Sequence, residues 1–426
     1  MGGLTDMTGD AMGGAAEGLF RVRSQGEAPV TPAELFFDLV FVFAVTQVSH
    51  FLLDHLGWLG AVEAAILLLA VWSSWVDTVL ITNLLDPGRQ PVRAALFALM
   101  AVGLVFSSAL PEAFAERGLV FGTAFALFQF GRTVFMVWAT RSRPKSSASF
   151  LRTAVWVAIY GAFWIAGGFA EGPARFACWS LALLIDYLMP VFGYPVPGLG
   201  RTAFEVLAIE GAHVAERVSL FVMIALGESV LVTGATFAAL EWTPPVVIAV
   251  ASGLVQSAAM WWIYFYWSSE SAKTVIARAS DPSVFIIRAF GYVPWIVVAG
   301  IVIAAVGDDL TLGDPLATPD VARIWVLIGG PALFVLGALL FEYGALGKWS
   351  RIRLAALAAL ALLVPLAPRL TSLGLSLATT TLIVAVAIAE HIWFSQRRVG
   401  LSGVWRGVSP ASGDSAASRS PRSPRG

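Results

Sequence analysis

The stretch Thr31-Pro-Ala-Glu34-Leu-Phe-Phe-Asp38-Leu-Val-Phe-Val42-Phe-Ala-Val-Thr46-Gln-Val-Ser-His50-Phe-Leu-Leu53 sets two carboxylates four residues apart at the head of an apolar run, 35–53, that is long enough to cross a bilayer. A spanning helix needs about 20 mainly apolar residues. A carboxylate near the centre of such a helix costs about 2.5 to 3.5 kcal/mol on insertion scales. The i, i+4 spacing turns both acids to one helical face, and the cost of keeping them there marks that face as one with a task.

Composition agrees with a membrane chain. Of 426 residues, 58% are hydrophobic and 13% charged, against roughly 25% charged in soluble domains, and the mean hydropathy is +0.79. The fold class is therefore an all-α, polytopic membrane protein whose partner is the lipid bilayer. The single cysteine, Cys178, allows no internal disulfide, and a net charge of -1 gives no electrostatic case for nucleic acid. Residues 1–30 read as a disordered leader, without the basic region and compact apolar core of a signal peptide. The Ser/Pro/Arg-rich end, 399–426, reads as a solvated tail.

Twelve spans fit the chain, at 33–53, 59–82, 93–113, 118–140, 151–171, 176–192, 216–240, 244–269, 284–306, 321–341, 351–368 and 374–395. The sixth and eleventh are short, with Pro190, Pro365 and Pro368 near their ends. With the N-terminus in the cytoplasm, 22 of the 27 lysines and arginines fall in cytoplasmic segments, Arg217 among them. Cytoplasmic loops collect such residues, so both termini are expected on the inner side of the cytoplasmic membrane. A shift of 182 residues lays Glu34 on Glu216 and the first span on the seventh. The chain then divides into a six-helix half at 31–192, a connection at 193–215 and a second half at 216–398, which would form two parallel repeats.

Four spans carry one charge each at a similar depth. At about 1.5 Å per residue, Asp38, Asp77, Arg132 and Asp186 lie roughly 8 to 12 Å from the cytoplasmic ends of the first, second, fourth and sixth spans. Arginine cannot shed its proton, so Arg132 needs an anionic partner. One reading is a structural salt-bridge network. The other is a pathway for a proton or small cation, because three acids against one base leave an excess of negative charge. Glu34, at the interface after Thr31-Pro32, suits a helix-start cap.

In the seventh span, Glu228 lies about 18 Å from the expected start at Glu216, near the bilayer midplane. Gly227 before it would admit close backbone approach, and Ser229 after it supplies a hydroxyl. A cation or proton site and a protonated glutamate bonded to a neighbouring helix both fit. Ligand spacings for zinc and a phosphate-cradling glycine loop are absent from the sequence, so no metal, cofactor or nucleotide chemistry is expected. Without a nucleophile or metal constellation, an enzyme is not expected either.

The segments Thr31-Pro-Ala-Glu34-Leu-Phe-Phe-Asp38 and His213-Val-Ala-Glu216-Arg217, continuing through Ile224-Ala-Leu-Gly227-Glu228-Ser229, closely resemble the bacterial low temperature requirement protein A family, over roughly 31–398. Arg132 and Asp186 also resemble positions of that family. The resemblance implies a multi-span membrane protein named for a cold-growth phenotype and supplies no substrate. A fainter likeness runs to the endolysosomal potassium channel family, through Phe36, Asp38, Val40, Phe41, Ala44 and Thr46, with Phe37 in place of that family's serine. The leading expectation is a cation- or proton-linked transporter or channel that uses intramembrane carboxylates. Its rival is a non-transporting scaffold or sensor of membrane or cold adaptation, in which the charges only lock helices.

Overall fold

The computed structural model describes residues 18–21, 30–202, 210–278 and 293–405. Twelve α-helices run through the described residues, in the order α1 Pro32–Asp54, α2 Trp58–Leu84, α3 Gln90–Ala109, α4 Gly118–Ala139, α5 Pro144–Phe169, α6 Gly172–Phe192, α7 Gly211–Ala239, α8 Pro244–Arg278, α9 Pro294–Gly313, α10 Val321–Leu346, α11 Arg351–Leu363 and α12 Ser372–Trp405. Eleven are long and apolar enough to cross a membrane. The all-α polytopic class expected from composition is the class observed.

The exception is α11, whose 13 residues extend only about 20 Å. Pro365 ends it by removing an N–H and crowding the carbonyl four residues earlier, and the chain continues into a 3-10 turn, Ala367–Arg369. Leu360 and Ala367 pack with Ile324 and Ile328 at the start of α10 and with Leu375 at the start of α12. Arg353, at the opposite end of α11, reaches Glu342 and Glu390 near the other ends of those helices. Helix α11 with its turn therefore runs antiparallel to both neighbours through most of their common depth.

Two other boundaries move, and both matter. Helix α7 begins at Gly211 rather than 216, which carries His213 and Arg217 into the helix and out of the cytoplasmic connection. Helix α9 continues to Gly313 and takes Asp308 and Asp309 with it; the expected start of that span, 284–292, lies outside the described residues. So do 1–17 and 22–29 of the expected leader, 203–209 of the connection and 406–426 of the tail. Within the leader, residues 18–21 dock on the end of α2: Leu19 is buried, Phe20 bridges to Leu85, and the Arg21 N–H donates to the Leu84 carbonyl.

Helices α2 and α9 are the most enclosed, each 72% buried along its apolar window, whereas α5 and α6 are 28% buried and lie at the margin. In lipid, helices associate through close packing rather than water exclusion. Aromatic rings supply much of it: Phe37, Phe41, Phe106 and Phe128 of α1, α3 and α4 are in mutual ring contact, and Trp72 and Trp75 of α2 close on Phe221 of α7. Where backbones approach closely, glycine is required: a Cβ on Gly300 of α9 would lie 2.6 Å from the Phe334 Cα of α10.

Candidate functional site

Helix α2 separates two charged centres. Trp75 and Asp77 are two residues apart, about 200° around the helix, and each belongs to a different centre.

The first joins α1 to α7. Glu34 closes a capping box with Thr31, whose N–H and hydroxyl both donate to Glu34 Oε2 at 2.9 Å. Arg21 Nη2 reaches the same oxygen at 2.9 Å. The other oxygen, Oε1, lies 3.1 Å from His213 Nε2 and 3.1 Å from Arg217 Nη1, as close ionic approaches rather than aligned hydrogen bonds. One turn on, Arg217 grips Asp38 with one edge of its guanidinium, Nη2 to Oδ1 at 2.5 Å and Nε to Oδ2 at 3.1 Å, and Trp75 Nε1 donates to Oδ1 at 2.8 Å. Acids at i and i+4 on α1 thus face bases at i and i+4 on α7, so the helices are parallel and in fixed register.

Asn83 of α2 braces His213 in this centre. The Glu210 N–H donates to Asn83 Oδ1 at 2.8 Å, which fixes the amide so that Asn83 Nδ2 faces His213 Nδ1 at 3.2 Å. The ring is thereby held with Nε2 toward Glu34. Two carboxylates are balanced by two guanidiniums, all within a seam where Glu34, Asp38 and Arg217 are fully buried.

The second centre lies on the opposite face of α2. Arg132 of α4 donates from Nη2 to Asp77 Oδ2 at 2.8 Å and from Nη1 to the Ser74 carbonyl at 3.1 Å. Asp186 of α6 is buried beside them, flanked by the hydroxyls of Ser73 and Tyr160, and its Oδ2 has no hydrogen-bond partner among the described residues. Gln129, one turn from Arg132, is fully buried with both amide atoms unpaired. Asp77 is 34% exposed and, with Arg132, Thr133, Thr153 and Tyr194, lines a cavity of about 100 Å³. Two acids and one arginine gather here, and among the described residues only Asp77 is ion-paired with the arginine, so Asp186 has no cation of its own.

The structure therefore keeps Asp77, Arg132 and Asp186 together and assigns Asp38 to Arg217 instead. The helix-cap role expected for Glu34 is present, joined by an ionic role that the sequence did not suggest. Glu216 is exposed, on the face turned away from the seam. Glu228 is buried and has no hydrogen bond or ion pair among the described residues, while the Ser229 hydroxyl lies 3.3 Å from that of Ser257 in α8. The register fixed by the ion pairs sets Glu228 level with Ser49, toward the far end of α1 rather than at the midplane. The earlier start of α7 accounts for the difference. Nor does Gly227 admit a neighbouring backbone: a Cβ there would meet nothing within 4 Å.

Sequence reasoning missed a third centre. Arg353 of α11, 2% exposed, binds Glu390 of α12 at 2.7 Å and Glu342 of α10 at 3.3 Å. It also missed Asp308 of α9, which is buried against Gly253 of α8. The signal was available for both, since Glu342, Glu390 and Asp308 stand in apolar stretches where a charge is costly. Among the described residues, no group of three or more His, Cys, Asp or Glu could hold a metal ion.

The sequence profile of the bacterial low temperature requirement A protein (LtrA) family matches residues 29–388. An uncharacterized protein of Rhizobium meliloti (strain 1021) is 35% identical over 361 residues, which is 84% of this chain and 88% of the relative. No solved structure matches the chain.

Proposed function

Since the chain belongs to the bacterial low temperature requirement A family, a family of multi-pass membrane proteins, we propose that it moves a small cation or a proton across the cytoplasmic membrane through the centre formed by Asp77, Arg132 and Asp186. The observation that carries this reading is a carboxylate with no cation of its own beside a cavity. Two carboxylates gather at one guanidinium that, among the described residues, is ion-paired with Asp77 alone; one carboxylate oxygen is unpaired, and a neighbouring buried glutamine is unpaired as well. Buried polar atoms without partners are rare and ask for an explanation. A proton or cation that comes and goes supplies one, because it both neutralises Asp186 and occupies the unpaired oxygens. The lysine and arginine distribution supports an orientation with both termini in the cytoplasm, which puts this cavity toward the inner side.

The test is flux. Purified protein in liposomes, screened ion by ion, should pass one alkali cation or protons faster than protein-free vesicles do. D186N, inserted and folded like wild type, should lose that flux. Wild-type protein that passes none of these ions would overturn the reading. The balanced centre around Asp38 and Arg217 favours the second reading, a scaffold or sensor in which charge only fixes helices; it predicts full stability loss on breaking that centre and no flux to lose.

A further inference from the structure

The α1–α7 seam is sealed at one end by the Glu34/Asp38 and His213/Arg217 pairs and opens at the other into a second cavity of about 80 Å³. Ser49 and His50 of α1, Thr236 of α7 and Asp309 of α9 line it. Thr236 donates its hydroxyl to Asp309 Oδ1 at 2.5 Å, which aims the carboxylate at the cavity's α7 wall.

Ser49 is the informative residue. A serine or threonine inside a helix ordinarily returns its hydroxyl to the carbonyl three or four residues back, as Thr46 does to Val42 at 3.1 Å. Ser49 is 4% exposed, lines the cavity and has no hydrogen-bond partner among the described residues. Its hydroxyl is left for an occupant. Among the described residues no lysine or arginine is ion-paired with Asp309: α1 and α9 contain none, and the arginine of α7, Arg217, is committed to Glu34 and Asp38 at the sealed end. His50 is the one basic side chain on the cavity wall.

We propose that this cavity binds a partly hydrated monovalent cation, with Asp309 supplying the charge and Ser49 and Thr236 supplying hydroxyl oxygens. Hard cations take oxygen ligands. One lining carboxylate balances one positive charge, and a volume that admits several waters suits an ion that keeps part of its shell. The site deepens the transport reading by adding a cation site in the α1–α7 seam, apart from the Asp77 centre on the other face of α2, and it rests on that reading only for its role in transport; the binding stands on the cavity.

Equilibrium binding of radiolabelled rubidium or sodium to the purified full chain in detergent tests it. Wild type should bind saturably, with displacement by small alkali cations and none by choline. D309N keeps an acceptor for Thr236 and should weaken affinity by about tenfold or more; S49A should weaken it measurably, whereas E216Q, on the exposed face of α7, should leave it unchanged. Absent saturable binding in wild type, or equal affinity in folded D309N, overturns the site. If D309N does not fold, S49A decides, and unchanged affinity there has the same force. Saturable, D309N-sensitive binding by a protein with no flux in liposomes keeps the site and removes the transport reading; flux without such binding does the reverse.

Discussion

Around Asp38, two acids meet two arginines and an imidazole, and each carboxylate oxygen has a cation or an N–H within 3.1 Å. Around Asp186, on the other face of the same helix, two acids gather at one arginine that is ion-paired with Asp77 alone among the described residues, an oxygen is unpaired, and a cavity reaches the pair. In the first arrangement every acid has a guanidinium of its own, although Glu34 Oε1 accepts no aligned hydrogen bond, and it fixes which helix stands beside which and in what register. The second is unfinished without a ligand. A buried ion pair is weak proof of stability but expensive to break, so the two centres separate in experiment by what happens when one member is removed.

The largest effect is expected at Arg217. R217M leaves Glu34 and Asp38 buried with one full cation less, and should cost about 3 to 5 kcal/mol, the usual penalty for an orphaned buried charge. Thermal unfolding of the detergent-solubilised protein by size-exclusion fluorescence would show it. The double variant D38L/R217M, which removes charge from both sides, should recover most of the loss. No recovery would mean that the pair does more than balance charge.

R132M ranks next. Its partner Asp77 is 34% exposed at the cavity, so water takes over part of the guanidinium's role, and a loss of about 1 to 3 kcal/mol is expected. A penalty as large as that of R217M would show that the second centre is as closed as the first. D186N follows, with a stability change within about 1 kcal/mol because no ion pair is broken, together with loss of flux. The separation between those two readouts distinguishes a working carboxylate from a structural one.

Much of this was legible in the chain and some was not, for identifiable reasons. Hydropathy located all twelve helices, since about 20 apolar residues in a row have few alternatives. The i, i+4 acids and the intramembrane Arg132 announced themselves by their cost. Partner choice was hidden. Depth put Asp38, Asp77 and Asp186 in one layer, but depth says nothing about azimuth, and Trp75 rather than Asp77 occupies the face of α2 that meets Asp38. Arg217 was hidden by a helix start: polar residues at 210–217 read as interface, although the facing carboxylates hold them in α7. Arg353 was lost in the same way, as the second arginine of a basic turn at the start of α11 that instead reaches inward to Glu342 and Glu390.

Glycine provides the smallest and cleanest contrast. Gly227 sits beside Glu228 in the middle of α7 and looks, in sequence, like a residue kept small for a neighbour. It faces open space, and a methyl group there would touch nothing within 4 Å. Gly253 of α8 differs: a Cβ would fall 2.9 Å from the carboxylate of Asp308, which is itself 3% exposed. G227A should therefore stabilise the protein slightly, by up to about 1 kcal/mol, because alanine restricts the unfolded chain and favours helix. G253A should destabilise it, since the buried carboxylate must move. Paired melting curves decide the matter. A loss of stability or flux in G227A would mean that the face of α7 beside Glu228 meets a partner, in the membrane or in a second copy of the chain, and the exposed surface of α7 would then have to be counted as part of the working protein.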